Sequence, residues 1–399
     1  MNIPKEAKKL LEKNRKITGE YQYTVPSEEH YPYQWLWDSC FHAIILAQYD
    51  PEAARAELRS LLSKQFENGM VPHIIYWLPG ILHIFRWGVE GTSSLTQPPM
   101  IAYATWEIHR RNPDQAFLES IYPDLLAYYR FLIEKRDPRD HHLIGIINPD
   151  ESGEDNSPRF DAPLSAAHDI SYKEHLALRT KLVDANTACN FDAELCMRNH
   201  FWVKDVPFNA ILVENLRTLG HIASFLKHGD GEHFANLHAD LIASAMRERL
   251  FADGVYWSAT GADYTPLKVA TWAHFAPLFA GLYSKEEAEN VVRNHLLNPE
   301  TFYAPFGIRT VSKQEISYRA EGYKDGFSWR GPVWMMSHWF IYRGLLRYGY
   351  KTEAADIRKK SIALLEKSGF RECFNPETGE GQAAKGFTWG ALVLDMNDE

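Results

Sequence analysis

The strongest constraint on the fold is a series of helix start and stop signals that enclose apolar residues at helical spacing. Asp50 and Pro51 are typical of an N-cap followed by proline at the first helical position, and apolar residues then recur every three or four positions up to a stop signal at 68–69. Ser284 and Glu287 have the spacing of a capping box. The pattern predicts a mainly helical chain. Similar helical runs occur at 1–16 and from about Pro207, Glu232 and Thr352.

Strand patterns are scarce, and the best alternating segments are short, at 143–147 and 254–258. No low-complexity linker divides the 399 residues. Roughly a dozen helices of about 30 residues each, loops included, would fill this length and form a double ring of antiparallel helix pairs. An open helical solenoid has the same periodicity, so the pattern alone leaves both open. We expect an all-α fold with one domain over residues 1–399.

Net charge and aromatic content narrow the class of ligand. The chain has 43 Lys and Arg residues against 52 Asp and Glu residues, a formal net charge of −9. Phosphate backbones repel a chain of this charge, so we expect no nucleic-acid partner. Aromatic residues make up 13% of the chain. Such rings pack protein cores and also line sites for the apolar faces of sugars.

The cysteines and the N-terminus bear on location. Cys40, Cys189, Cys196 and Cys373 form no CxxC pair and have no zinc-site spacing, so we predict reduced thiols in a cytoplasmic protein. The first 16 residues are charged and lack the apolar stretch of a signal peptide. No run of 18 apolar residues occurs, so we expect no membrane partner.

An acidic segment at 148–161, NPDESGEDNSPRFD, is the first candidate site. A solvated acidic turn is an equally good interpretation, whereas the acid spacing does not fit a calcium loop. The glycine and prolines of the segment favour a fixed loop, in which Arg159 could clamp carboxylates. Its acids are Asp150, Glu151, Glu154, Asp155 and Asp161.

Two Trp-rich segments, 31–46 and 322–339, are further candidates. In the first, Asp38 is either the N-cap of the following helix or a ligand of sugar hydroxyls. In the second, Arg330 stands beside a Gly-Pro turn between tryptophans, which fits either a packed structural corner or a grip on a hydroxyl-rich ligand. A fourth segment, 371–382, contains Glu372, which taken alone is an ordinary surface acid. Motifs of metalloproteases, serine hydrolases and nucleotide-binding proteins are absent.

The motifs together resemble the clan of (α/α)6 glycosidases that includes trehalase and glycoside hydrolase family 63. The resemblance is closer to family 63, and within it to the mannosylglycerate/glucosylglycerate hydrolase group, whose members are little more than a catalytic toroid. Trehalase signatures are absent. The motifs stand in the order of the family and span most of the chain: WLWDS at 35–39, QPP at 97–99, ESGEDNSPRFD at 151–161, WRGP at 329–332 and RECFNPETG at 371–379.

The resemblance implies an (α/α)6 barrel and an inverting α-glycosidase that uses no metal or organic cofactor. It assigns the general acid to Asp155 and the general base to Glu372. The acid needs a raised pKa, which burial against Trp rings and acids such as Glu151 would supply. The positions that the resemblance assigns to the sugar subsite are Tyr31, Trp35, Trp37, Asp38, Gln97, Trp329, Arg330 and Trp334.

Positions for the leaving group follow less directly from the resemblance. Gln382 is a candidate, and the carboxylate of a glycerate group would favour donors such as Tyr323 and Lys324. Three alternatives stay open. They are a trehalase-like disaccharide hydrolase, a carbohydrate-binding toroid without catalysis, and a helical scaffold for protein partners.

Overall fold

The computed structural model describes residues 1–78, 87–88, 91–322 and 328–397, and the described chain is rich in helix. Among these residues no helix is long and apolar enough to cross a membrane. The α-helices are α1 (Ile3–Asn14), α2 (Leu36–Leu46), α3 (Pro51–Leu62), α4 (Ile101–Arg111), α5 (Gln115–Lys135), α6 (Asp161–Leu164), α7 (Tyr172–Ala188), α8 (Ala193–Asn199), α9 (Val206–Phe225), α10 (Gly229–Arg249), α11 (Ala276–Phe279), α12 (Lys285–Asn290), α13 (Met335–Arg347) and α14 (Lys351–Ser368). Shorter turns of 3₁₀ helix span Pro149–Ser152, Pro158–Phe160, Trp272–His274 and Thr388–Asp395, and a π-helix, Val291–Leu296, continues α12.

The described strands are short and pair antiparallel. The predicted segment 254–258 contains one of them, whereas 143–147 contributes a single bridge between Ile146 and Val203. The pairs are β1 (Arg15–Thr18) with β2 (Tyr21–Thr24), β3 (Gln34–Trp35) with β4 (Ile74–Ile75), β5 (Val203–Lys204) with β8 (Ala259–Thr260), β8 with β9 (Thr265–Pro266), β6 (Phe251–Ala252) with β7 (Val255–Tyr256), β10 (Tyr303–Ala304) with β11 (Gly307–Ile308) and β12 (Arg371–Phe374) with β13 (Gly381–Lys385).

The predicted helix signals act as expected at the N-termini. The Asp50 carboxylate accepts a hydrogen bond from the backbone N–H of Ala53 at 3.1 Å, and both bonds of the capping box join Ser284 and Glu287. The end of α3 comes earlier than predicted, at Leu62 rather than at 68–69. The following turn bends the chain back, and a side chain on Gly69 would lie 2.4 Å from the carbonyl oxygen of Ala127.

Six helical elements pack against one another in succession. The contacts run from α2 to α4, α9, α11 and α13, and the 3₁₀ helix Thr388–Asp395 contacts both α13 and α2. All eleven residues of α2 are buried, as expected for a helix with neighbours on every side. Further helices cover this inner set. Among them α3 packs on α2 and α4, α5 on α4 and α9, α10 on α9, and α14 on α13.

The N-terminal ends of four of these inner elements face one cavity. Asp38 lies in the first turn of α2, Gln97 precedes α4, Trp334 immediately precedes α13, and Trp389 is the second residue of the 3₁₀ helix Thr388–Asp395. Helix N-termini carry partial positive charge, which favours acidic groups at this end of the fold. The loop at 148–161, between α5 and α9, reaches the same cavity.

The prediction that all four cysteines are reduced is wrong. Cys189 and Cys196 form a disulfide, while Cys40 and Cys373 are buried free thiols. The bond joins the C-terminal end of α7 to α8, because the turn between the two helices folds Cys196 back towards Cys189. A disulfide of this kind is typical of oxidising surroundings, so the cysteines no longer support the cytoplasmic prediction.

Candidate active site

The cavity at the N-terminal ends of the inner helices has a volume of about 260 Å³. Its walls combine buried carboxyls with aromatic rings. The two predicted catalytic acids, which are far apart in sequence, both line it. The lining residues are Pro26, His30, Tyr31, Trp35, Trp37, Asp38, His73, Trp87, Gln97, Asp150, Gly153, Asp155, Tyr172, Arg179, Trp329, Trp334, Glu372, Phe387 and Trp389.

The acid loop at 148–161 is fixed by local hydrogen bonds and by one close approach. The side chain of Asn148 accepts from the backbone N–H of Asp150 at 3.0 Å and so caps the 3₁₀ turn Pro149–Ser152. Gly153 follows in the left-handed region, with a φ of 71°. A Cβ there would lie 2.2 Å from a ring carbon of Trp37, so this position requires glycine. The loop is therefore a rigid part of the cavity wall rather than a solvated turn.

Two acids of the loop are paired with buried arginines and do not line the cavity. Glu151 accepts two hydrogen bonds from Arg136, each of 2.7 Å. Glu154 accepts from Arg159 at 2.7 and 2.9 Å, as the clamp expected of that arginine, and from the indole N–H of Trp272 at 2.7 Å. These charge-assisted bonds hold the backbone of the loop, and neither acid lines the cavity.

Asp155 does line the cavity, and it shares an arginine with Asp150. Nη1 of Arg179 lies 2.5 Å from Oδ2 of Asp155, and Nη2 of Arg179 pairs with Asp150. The pKa of Asp155 is raised to about 6, chiefly by burial. The charges of Asp150 and Glu154 contribute to this rise, while Arg179 opposes it. Glu151, which the sequence analysis expected to contribute, is not among these main causes, and it is paired with Arg136.

Glu372 lies on β12 and is only 3% exposed, so the interpretation as a surface acid is wrong. The hydroxyl of Tyr31 donates to its Oε1 at 2.7 Å, and the backbone N–H of Ala384 on β13 donates to its Oε2 at 3.0 Å. Burial raises the pKa of Glu372 to about 7; the charges of Asp155 and Asp38 add to the shift, and the two donors oppose it. A carboxyl with this pKa exchanges a proton near neutral pH.

Asp38 is held by Trp389 instead of serving as an N-cap. The helix α2 begins at Leu36 with Trp35 at the cap position, which places Asp38 inside the first turn. The indole N–H of Trp389 donates to its Oδ1 at 2.7 Å, and burial raises the pKa of Asp38 to about 6. Trp389 was not singled out from the sequence, and it lies beyond the last of the motifs, which ends at residue 379.

The tryptophans form a continuous aromatic wall. The rings of Trp329 and Trp334 are stacked with centroids 3.8 Å apart and an angle of 9° between their planes. Trp389 contacts Trp37 edge to face at 5.3 Å and also packs near Trp334 at 5.5 Å. Such a wall offers flat apolar surfaces beside the carboxyls, as a pyranose ring requires. The structure thus places Tyr31, Trp35, Trp37, Asp38, Gln97, Trp329 and Trp334, predicted for the sugar subsite, around one cavity.

Two predicted binding residues do not line the cavity. Arg330 is fully buried and pairs with Asp161, so it supports the loop rather than facing a ligand. Gln382 donates to the backbone carbonyl of Ala320 at 3.1 Å. The positions proposed for a glycerate group, Tyr323 and Lys324, lie outside the described residues.

The sequence analysis missed two residues of α7 that line the cavity. Tyr172 and Arg179 are seven positions apart and lie on one face of this helix, two turns from each other. No motif marks either residue, so the signal is visible only once the helix is known to lie beside the acid loop. One group of possible metal ligands, Asp137, Asp140 and His142, is found among the described residues, and none of the three lines the cavity.

Comparisons with known proteins identify the family to which the chain belongs. Residues 31–390 match the family described as the mannosylglycerate hydrolase MGH1-like glycoside hydrolase domain. A mannosylglycerate hydrolase of Thermus thermophilus is 32% identical over 416 residues, which cover 93% of this chain and 95% of that protein. The glucosylglycerate hydrolase of Mycolicibacterium hassiacum is 29% identical, with 92% of each chain covered.

A solved structure gives the same result. The crystal structure of a family 63 mannosylglycerate hydrolase from Thermus thermophilus, in complex with Tris and D-glycerate, superposes with a TM-score of 0.89. The two proteins are 30% identical, and the match covers 99% of each chain. The chain is therefore a glycoside hydrolase and belongs to the MGH1-like domain family, within glycoside hydrolase family 63.

Proposed function

We propose that the protein hydrolyses a small α-glycoside of glycerate, mannosylglycerate or glucosylglycerate, with inversion at the anomeric carbon. The observation that carries the proposal is the position of Asp155 and Glu372, two buried carboxyls on the wall of one aromatic cavity. The names of the relatives, mannosylglycerate hydrolase and glucosylglycerate hydrolase, support the choice of substrate.

In the proposed reaction Asp155 is the general acid and Glu372 the general base. Asp155 gives its proton to the glycosidic oxygen as the bond from that oxygen to the anomeric carbon breaks. Glu372 takes a proton from the water that forms the new bond on the opposite face of the sugar. Tyr31 and the backbone N–H of Ala384 suit this role of Glu372, because both donors stabilise its ionised form and fix its orientation.

The aromatic wall and Asp38 form the proposed sugar subsite. The stacked pair of Trp329 and Trp334 presents a flat apolar surface, and Oδ1 of Asp38 is already bound by Trp389. The second oxygen of Asp38 then accepts from sugar hydroxyls. An oxocarbenium-like transition state gains from the carboxylates around the ring.

Arg179 suits an anionic leaving group. Among the described residues that line the cavity it is the one lysine or arginine. It lies beside the proposed acid, where the leaving group has to be, and a guanidinium matches the geometry of a carboxylate. This supports a glycerate glycoside over a neutral disaccharide.

We also propose that the chain is one (α/α)6 toroid over residues 1–399. The contacts from α2 through α4, α9, α11 and α13 return to α2 by way of the 3₁₀ helix Thr388–Asp395, which supports a closed ring over an open solenoid. The helices that cover the inner set alternate with it along the chain.

A hydrolysis screen with purified protein tests the substrate. Mannosylglycerate, glucosylglycerate, trehalose, kojibiose and nigerose are compared at equal concentration. We expect turnover of a glycosylglycerate well above that of the three disaccharides. A preference for a disaccharide would move the assignment to a trehalase-like activity, and no turnover of any substrate would favour a binding protein without catalysis.

Stereochemistry tests the mechanism. A water has to fit between Glu372 and the anomeric carbon, so the carboxyls stand about 6.5–9.5 Å apart in such an enzyme, against about 5–5.5 Å in a retaining pair. We expect the β-anomer as the first product, read by proton NMR before mutarotation. First release of the α-anomer would require a covalent intermediate, and Glu372 would then be its nucleophile or another acid would have to act.

A further inference from the structure

Arg179 stands where its charge opposes the role proposed for Asp155. Its guanidinium contacts Asp155 and Asp150 at the same time, and its side chain is 4% exposed at the cavity wall. A cation 2.5 Å from a carboxyl favours the ionised form of that carboxyl. A general acid has to carry a proton when the substrate is bound. In the free site Arg179 therefore favours the form of Asp155 that cannot donate a proton.

The other groups that face Asp155 do not remove this conflict. The charges of Asp150 and Glu154 favour the protonated form, yet Arg179 neutralises the first and Arg159 pairs with the second. Charge interactions also join Asp155 to Glu372, Tyr31 and Tyr172, and none of these three is a cation. Of the described groups around the acid, Arg179 is the cation whose charge a bound anionic ligand could neutralise.

We propose that the carboxylate of the leaving group binds Arg179 and thereby causes Asp155 to take up the proton that it later donates. Arg179 would then be a specificity-determining and positioning residue that keeps the acid protonated to higher pH for substrates with an anionic leaving group than for neutral ones. This inference rests on the proposed function.

A count of charges around the guanidinium gives the reason. In the free site one positive charge faces two carboxylates, Asp150 and Asp155. A third carboxylate, brought by the substrate, would leave two uncompensated negative charges in a buried pocket unless one acid is protonated. Asp155 is the acid beside the glycosidic oxygen in the proposed reaction, so its protonation is the productive response.

The protonation behaviour of the free site supports this step. Burial raises the pKa of Glu372 to about 7 and that of Asp155 to about 6, so both carboxyls take up protons close to neutral pH. A ligand carboxylate on Arg179 raises the pKa of Asp155 further and so favours protonation of the acid. A neutral leaving group leaves Arg179 paired with Asp150 and Asp155, and the pKa of Asp155 unchanged.

The test compares two substrates of the intact enzyme that differ in one group. Mannosylglycerate, or glucosylglycerate if the screen favours it, is paired with the matching glycosylglycerol, in which the carboxylate is replaced by a hydroxymethyl group. The measured quantity is the pH dependence of kcat, which reports groups in the enzyme–substrate complex. We expect the alkaline limb, where Asp155 loses its proton, about 1–2 pH units higher for the anionic substrate. Limbs at the same pH, or a difference in KM alone, would overturn the inference.

Two variants assign the effect to Arg179. Arg179→Gln removes the charge, so the limb of the neutral substrate should rise to meet that of the anionic one, and the KM of the anionic substrate should increase. Arg179→Lys retains the charge and should keep the gap between the limbs. If Arg179→Gln does not fold, the comparison of the two substrates on the wild-type enzyme still tests the inference. Turnover of both substrates with equal limbs rejects this inference alone, whereas no turnover of either rejects the proposed function with it.

Discussion

The two proposed catalytic carboxyls stand on one cavity but are held in different ways. Asp155 belongs to a loop whose acids are each matched by an arginine, and its own partner is the charged Arg179. Glu372 belongs to a hairpin, and its partners are neutral donors, the Tyr31 hydroxyl and the Ala384 backbone. A charged partner can be neutralised by a ligand, whereas neutral donors stabilise the ionised form whether or not a ligand is bound. The difference suits an acid that responds to substrate and a base that does not.

The first and largest test of this comparison removes each carboxyl. Asp155→Asn cannot donate a proton to the leaving oxygen, and Glu372→Gln cannot accept one from water. We expect each substitution to lower kcat by roughly 10²–10⁴-fold, the contribution of one acid or base group. Initial rates on the preferred glycosylglycerate measure it, with circular dichroism to confirm that the variants fold.

Glu154, the residue before Asp155, serves as the control for whether the general acid is assigned to the correct position of the loop. Glu154 has two hydrogen bonds from Arg159 and one from Trp272, and it does not line the cavity. Glu154→Gln should therefore act mainly on stability. If this variant lost turnover while folding normally, and Asp155→Asn kept it, the acid would be Glu154.

The second test concerns stability and compares an acid that is paired away from the cavity, Glu151, with one that lines it, Asp155. Glu151 accepts from both Nη atoms of Arg136 and from the backbone N–H groups of Thr96 and Ile147. Glu151→Gln leaves the Arg136 charge buried without its partner, which should cost about 3–5 kcal/mol in the free energy of unfolding. Urea unfolding at pH 7 measures it.

Asp155→Asn is the matched comparison in the same loop. Because the folded-state pKa of Asp155 is raised, its ionised form destabilises the fold once the pH exceeds the ordinary value for aspartate, and the loss is complete above about 6. At pH 7 the amide removes that cost, so this variant should be as stable as wild type or more so. A loss equal to that of Glu151→Gln would mean that Asp155 is a structural acid.

The helices could be predicted from the sequence because their signals are local. Asp50 caps α3 and Ser284 caps α12 through bonds that span only three residues. The early end of α3 was not predicted, and neither was the close approach of Gly69 to Ala127 of α5 in the turn that follows, because such an approach joins distant parts of the chain. The disulfide likewise follows from the turn between α7 and α8 and not from a metal-type spacing.

The residues of the site likewise include some that sequence motifs mark and others that only the fold brings to the cavity. Asp38 was found because it stands in a dense Trp-rich motif, whereas Glu372 was assigned only through the family resemblance, since taken alone it was interpreted as a surface acid. Arg179 has no such neighbours and becomes a site residue only because α7 crosses beside the acid loop. Arg330 shows the converse case, since its motif was recognised but its side chain turns away to Asp161.

The third test, with the smallest expected effect, removes one of the neutral hydrogen-bond donors of Glu372. Tyr31→Phe removes the hydroxyl that donates to Glu372 and keeps the ring and the Ala384 bond. Because this donor lowers the pKa of Glu372, its loss should raise that pKa above its value of about 7. The base acts only when ionised, so activity falls as the pH drops through this pKa. The acidic limb of the kcat/KM profile should therefore move to higher pH by up to about one unit, and kcat/KM at pH 7 should fall roughly 10-fold, as expected for a hydrogen bond to a charged group.

Tyr348→Phe is the control, since its hydroxyl donates to the Tyr283 carbonyl and does not line the cavity. If Tyr31→Phe left the acidic limb in place, Tyr31 would act on the substrate alone, and Glu372 would not depend on it for its proton affinity.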